Sequence, residues 1–264
     1  MPFVTSADGT RIGYSVTGSG PALVLVDGAL CWRASGPMTP LAEKLKDRFT
    51  VYTYDRRGRG ESGDARPYAI EREVEDLAAV IEVTGGSVAI YAISSGVGLA
   101  LAAANSGLPI GRMVLYEFPI LTDDSRHVDA SYARVMDELI ARGDNAGAVK
   151  HFMKVGVEVP GFAIFMMGLM GMFRKLAPVG PTLAYDTRIV TPFWTNRAPS
   201  ATTWPHVTMP VLAVGGGKSA PWMQQAQVAV SAALPNGSHK TLPGQNHMVA
   251  PEAIAPLITE FLAA

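Results

Sequence analysis

A single cysteine, Cys31, stands in the whole chain, so neither an intramolecular disulfide framework nor a CxxC metal knuckle can be built. Charge is scarce as well. Charged residues make up 17% of the sequence, and 22 Lys plus Arg against 23 Asp plus Glu leave a net charge of −1. That balance offers no field for a phosphate backbone or an anionic membrane, so neither nucleic acid nor a membrane is expected as a partner. Long hydrophobic runs are missing where targeting would need them. The opening MPFVTSADGT has no basic n-region and no apolar h-region, and the apolar run Pro160 to Phe173 stops well short of the roughly 20 residues that span a bilayer. The expectation is a soluble, cytoplasmic protein. Its 264 residues, 48% of them apolar, suffice for one compact domain with a small insertion, and nothing in them speaks to oligomeric state.

What is present is a change of rhythm along the chain. Phe3 to Ser6 and Thr10 to Thr17 flank an Asp8-Gly9 turn signal and read as a hairpin. Then come short apolar strands at Ala22 to Val26, Phe49 to Tyr54, Ser87 to Tyr91 and Arg112 to Tyr116, with helical stretches between them. Such alternation predicts a parallel sheet covered on both faces, hence an α/β fold. Glu71 to Val83 sets Val74, Leu77, Ala78 and Ile81 on one helical stripe, and Ser95 to Ser106 is a second helix. The alternation stops after Tyr116. It resumes with a strand at Val211 to Val214, a helix from Trp222 to Leu234, a strand near Ser238 to Leu242 and a terminal helix ending at Leu262. Residues 120–205 therefore read as an inserted cap, and residues 1–119 with 206–264 as the core domain. The insertion holds six of the twelve methionines, five of them between Met153 and Met172, which suits either a loosely specified helical core or a ligand-facing lining.

The sharpest local signal is Tyr91-Ala-Ile-Ser94-Ser-Gly96-Val-Gly98, placed where a strand turns abruptly into a helix. Small residues at Ala92 and Gly96 permit a strained turn that lifts a central serine hydroxyl above the sheet. Ser94 is the center of that pentad. Centering on Ser95 would require small residues at Ile93 and Val97. The helix starting at Ser95 aims free N–H groups at the same point, as a developing oxyanion needs.

With that elbow the chain resembles the α/β-hydrolase family along nearly its whole length. Tyr54-Asp55-Arg-Arg-Gly58-Arg-Gly60-Glu-Ser62 is similar to the family's D-x-R-G-x-G-x-S segment, and Gly244-Gln-Asn-His247 to its histidine loop. The resemblance implies an eight-stranded, mostly parallel sheet with the cap inserted after strand six. It also implies His247 as general base, since His127, His151, His206 and His239 fall in the cap or beside strands. Oxyanion donors follow at Gly28 or Ala29 and at Ser95. The family's histidine before that glycine is Asp27 here, whose side chain is expected to turn away and hold the loop. The usual acid position, after strand seven, reads Gly215-Gly-Gly-Lys-Ser-Ala220 and contains no carboxylate. Glu117, closing strand six in Leu115-Tyr-Glu117-Phe-Pro119, is the alternative anchor, with Asp123 and Asp124 as rivals. Glutamate there, with D-G after strand three and S-S-G at the elbow, is locally similar to the zearalenone-type lactone hydrolases.

The resemblance implies a serine hydrolase cleaving an ester or lactone of a hydrophobic small molecule, with Ser94, His247 and Glu117 catalytic and no cofactor or metal required. Leu30, Phe118, Phe152, Met166, Met170, Trp194 and Met248 are the expected substrate contacts. Other classes stay open: a lyase, acyltransferase or cyclase on the same scaffold, or a ligand-binding protein that keeps the triad.

Overall fold

The computed structural model describes residues 2–263. Phe3–Thr5 (β1) and Arg11–Gly18 (β2) pair antiparallel across the Asp8-Gly9 turn, where the Thr10 N–H donates to Asp8 Oδ1 at 3.0 Å. Beyond them strands and helices alternate: Ala22–Val26 (β3), Met38–Leu45 (α1), Thr50–Tyr54 (β4), Ile70–Glu82 (α2), Val88–Ile93 (β5), Ser95–Asn105 (α3) and Ile110–Tyr116 (β6). An all-helical stretch follows, made of Tyr132–Ala141 (α4), Asn145–His151 (α5), Gly161–Leu169 (α6), Met172–Leu176 (α7) and Leu183–Val190 (α8), with a π-helical turn at Phe152–Gly156. Val211–Gly216 (β7), Pro221–Ala232 (α9), Gly237–Leu242 (β8) and Pro251–Ala263 (α10) complete the chain. The sheet has eight strands in the order β1-β2-β4-β3-β5-β6-β7-β8, parallel from β4 onward. This is the α/β-hydrolase architecture.

Successive side chains on a strand point to opposite faces, and here both faces are apolar. Val24, Ile90 and Ala92 enter the core beneath α2, α3 and α9, while Leu23, Tyr91 and Ile93 enter the one beneath α1 and α10. Burial on both sides explains why Thr84 to Gly111, which contains β5 and α3, carries no charged side chain. Every parallel strand ends at the same edge, so the loops after β3, β5, β6 and β7 converge there.

The segment between β6 and β7 adds no strand to the sheet. Its two ends are stitched together at its base, where the Leu121 N–H donates to Phe193 O at 3.1 Å and Leu121 bridges Trp194. Met136, Val149 and Leu183 give it an apolar center of its own, into which Leu30 reaches from the loop after β3. Trp204, inside the expected cap boundary, instead packs into the core beside Phe193 and Val207. Among the described residues no single helix is long and apolar enough to cross a membrane.

Candidate active site

Ser94 sits between β5 and α3 with φ 57° and ψ −129°, a region that non-glycine residues rarely occupy. The fold holds it there from several sides. Its N–H donates to Tyr116 O on β6 at 2.9 Å, and the next helix runs close under the end of β3. A Cβ at Gly96 would lie 2.6 Å from Asp27 O and 2.7 Å from Val26 O, so only glycine permits that approach. Ala92, the residue that replaces the elbow's usual first glycine, is fully buried and pairs with Val26 in the sheet.

Glu117 follows β6 with φ 51° and is fully buried. Its Oε2 accepts a hydrogen bond from His247 Nδ1 at 2.8 Å, and its Oε1 accepts from the Gly216 N–H at 2.7 Å. Both oxygens are thereby fixed. With Nδ1 donating to the carboxylate, Nε2 is left as the basic nitrogen, and Ser94 and His247 line the same cavity. The loop after β7 contributes close approach and no acid: a Cβ at Gly216 would lie 2.6 Å from Gln245 O. Tyr116 Oη and Lys218 N–H hold the histidine loop by donating to Asn246 O at 2.6 Å and Gln245 O at 2.8 Å. Neither Asp123 nor Asp124 reaches His247; Asp123 caps Ser125 N–H and Asp124 accepts from Asn196.

On the other side of Ser94, Ala29 lines the cavity and Gly28 packs directly against the serine, where a Cβ would lie 2.9 Å from Ser94 Cβ. Asp27 is buried and outside the cavity lining, with its Oδ2 beside Gly36 and its Oδ1 without a hydrogen-bond partner among the described residues. Burial pushes its pKa up to about 7, against the pull of Arg59 and Arg56. Beneath this turn lies a network that the sequence does not advertise. Asp186, from α8, accepts from Arg56 at 2.8 Å, Arg59 at 2.6 Å and Ser95 Oγ at 2.7 Å, and Glu73 on α2 grips Arg56 a second time at 2.6 Å. Burial alone would raise the Asp186 carboxyl, yet the charges of Arg59 and Arg56 hold it below its ordinary range.

The cavity measures about 290 Å³. Phe152, Trp194 and Met248 line it, and Tyr132, Val157, Val190, Trp222 and Met223 join them. The other four expected contacts lie elsewhere. Leu30 is in the apolar center of the inserted helices, and Phe118 is in the core against Phe193, with Gln227 bonded to its backbone. Met166 and Met170 point to solvent, 39% and 66% exposed, because the π-helical turn and α4 close the cavity wall in their place. Trp222 and Tyr132 went unmarked in the sequence; the signal for Trp222 was its position just after the loop that follows strand seven. Arg126 braces this wall. It donates to Val155 O and Gly156 O at 3.1 and 2.7 Å and stacks 4.4 Å over the Trp222 ring.

Residues 17–257 match the alpha/beta hydrolase family. The crystal structure of an alpha/beta hydrolase from Sphaerobacter thermophilus is 43% identical, with a TM-score of 0.90 over 99% of this chain and 100% of that one. A thermophilic esterase from Thermogutta terrifontis is 21% identical with a TM-score of 0.71, covering 99% and 97% of the two chains. An enol-lactonase from Burkholderia xenovorans is 18% identical with a TM-score of 0.68 over the whole of both. The latter two likenesses are of fold.

Proposed function

The chain belongs to the alpha/beta hydrolase family, and from that premise we propose that it is a serine hydrolase of carboxylic esters or lactones. The observation that carries this reading is the buried Glu117 bonded at 2.8 Å to His247 Nδ1, in a cavity whose wall also holds the strained Ser94. Ser94 Oγ attacks the substrate carbonyl while His247 Nε2 takes its proton. Glu117 keeps the imidazole in the required tautomer and stabilizes the imidazolium. The N–H groups of Ala29 and Ser95 bind the oxyanion. His247 then returns its proton to the leaving alkoxide, and a water activated by the same nitrogen frees the acid from Ser94. A cavity of about 290 Å³ walled by Tyr132, Phe152, Trp194 and Trp222 suits a small to medium apolar substrate. Esterase and enol-lactonase chemistry among proteins of this fold supports the same reading.

Whole-protein mass spectrometry after exposure to a fluorophosphonate is the direct test. A single adduct mapped to Ser94 is the expected result, together with a loss on the order of 10⁴-fold in ester turnover for Ser94→Ala. Glu117→Gln should lower kcat by about 10³ to 10⁴ without unfolding the chain. An adduct on Ser95, or full turnover by Glu117→Gln, overturns the assignment.

A further inference from the structure

Arg56 and Arg59 occupy two of the three variable positions of the D-x-R-G-x-G-x-S segment, and both are almost entirely removed from solvent. Burying two guanidinium groups side by side is costly unless each donor meets an acceptor. The acceptors they meet are instructive. Arg59 Nη1 donates to Gly28 O at 2.5 Å and to Cys31 O at 3.3 Å, Nε to Thr182 Oγ1 at 3.1 Å, and Nη2 to Asp186 at 2.6 Å. Arg56 Nη1 reaches Asp27 O at 3.3 Å.

In a trans peptide the C=O and the N–H of one unit point in opposite directions. Fixing Gly28 O on Arg59 therefore turns the Ala29 N–H to the side away from Arg59. Ala29 is a cavity residue, and its N–H, like that of Ser95, donates to no other group among the described residues. Glycine at position 28 is required by contact with Ser94, yet glycine is also the residue that least resists rotation of the following peptide. A rotated peptide would present a carbonyl oxygen where an oxyanion must sit. The turn needs an external lock, and Arg59 is bonded to the one carbonyl that provides it. Asp186 then joins this lock to the second donor, since the carboxylate that holds Arg59 also accepts from Ser95 Oγ at 2.7 Å.

We propose that Arg59 is a positioning residue for the oxyanion hole, and that Asp186, brought in by α8 of the inserted helices, completes the hole by tying Arg59 and Ser95 together. The inference rests on the serine hydrolase reading above. Its consequence is that the inserted segment forms part of the catalytic apparatus as well as a wall of the cavity.

The test is steady-state hydrolysis of p-nitrophenyl butyrate by wild type, Arg59→Met, Arg59→Lys and Asp186→Asn, with a thermal melt of each and fluorophosphonate labeling of the wild type. Arg59→Met should lose about 10² in kcat while KM stays within about twofold, because the donor acts on the transition state and not on bound ester. Arg59→Lys, which keeps a donor for Gly28 O, should recover about tenfold of that loss. Asp186→Asn should lower kcat by about tenfold with KM again unmoved. A folded Arg59→Met with kcat within about threefold of wild type overturns the proposal, as does a loss confined to KM. If Arg59→Met does not fold, Arg59→Lys and Asp186→Asn settle the matter by the same split between kcat and KM. A wild type inert to both ester and fluorophosphonate removes the serine hydrolase reading and this inference with it, whereas an active wild type with unaffected variants removes the inference alone.

Discussion

Asp27 is an acid in a place that has no use for its charge. Arg56 and Arg59 are already matched by Glu73 and Asp186, so a third carboxylate would be surplus. Burial pushes its pKa from 3.8 up to about 7, the nearby Arg59 and Arg56 notwithstanding. Below about pH 4 both folded and unfolded chains hold this proton. Between about 4 and 7 the unfolded chain releases it and the folded chain keeps it, so stability falls as pH rises through that window and the loss is complete above it. Asp27→Asn should accordingly melt about 3 °C or more above wild type at pH 8, with the difference shrinking toward zero near pH 4. Melting curves from pH 4 to 9 that run parallel for the two proteins would falsify this. Asp27 could be singled out in the sequence because it breaks the family's pattern at a named position, and Ser94, Glu117 and His247 were legible for a similar reason, each ending a strand or filling a loop of recognizable composition. Asp186 was not. It lies within the amphipathic run of α8, and the arginines it serves are 127 and 130 residues away in the chain, a distance that no local pattern crosses.

The helices inserted after β6 show how composition misleads about which face an element presents. Apolarity marked α6 as a candidate lining, yet its Phe162, Phe165 and Leu169 are exposed, and the cavity is closed by Phe152 from the π-helical turn and Tyr132 from α4. Phe152→Ala should therefore raise KM for a long-chain ester several-fold more than for an acetate ester, whereas Met170→Gln should shift neither by more than about twofold. Equal responses from the two variants in a chain-length series would place α6 at the substrate after all. The opposite surprise occurs in α2, whose first turn carries the acids Glu71 and Glu73 at the positive end of the helix dipole. Glu73 and Asp76 are instead buried on Arg56 and Arg57, so the apolar stripe of this helix is interrupted by two ion pairs that only the assembled fold explains. Strands were easier to read than helices for a physical reason. A central parallel strand is apolar on both faces, while a helix can be apolar toward the core, toward a ligand or toward solvent.

At the scale of the molecule, the inserted helices and the sheet domain share ion pairs that are only 1–3% exposed, Arg56–Asp186 and Arg59–Asp186. Pairs so shielded are screened little by added salt. Separating the two parts would leave Arg59 without its counter-charge and Arg56 with Glu73 alone, so the chain should unfold in one calorimetric transition whose midpoint moves little between 0.05 and about 0.5 M KCl. Two resolved peaks would show the parts to be independent. The stitch at Leu121 and Phe193 has a further bearing on how such a protein can change. Because the ends of the segment meet at its base, lengthening or exchanging what lies between them imposes no strain on strand register, and loop-closure cost grows only slowly with length. In the terms of protein engineering it is a replaceable cassette, free to diverge with each new substrate. One condition travels with every graft: the incoming segment must deliver an acid where Asp186 now stands, or the recipient inherits two entombed cations with a single counter-charge, Glu73, between them.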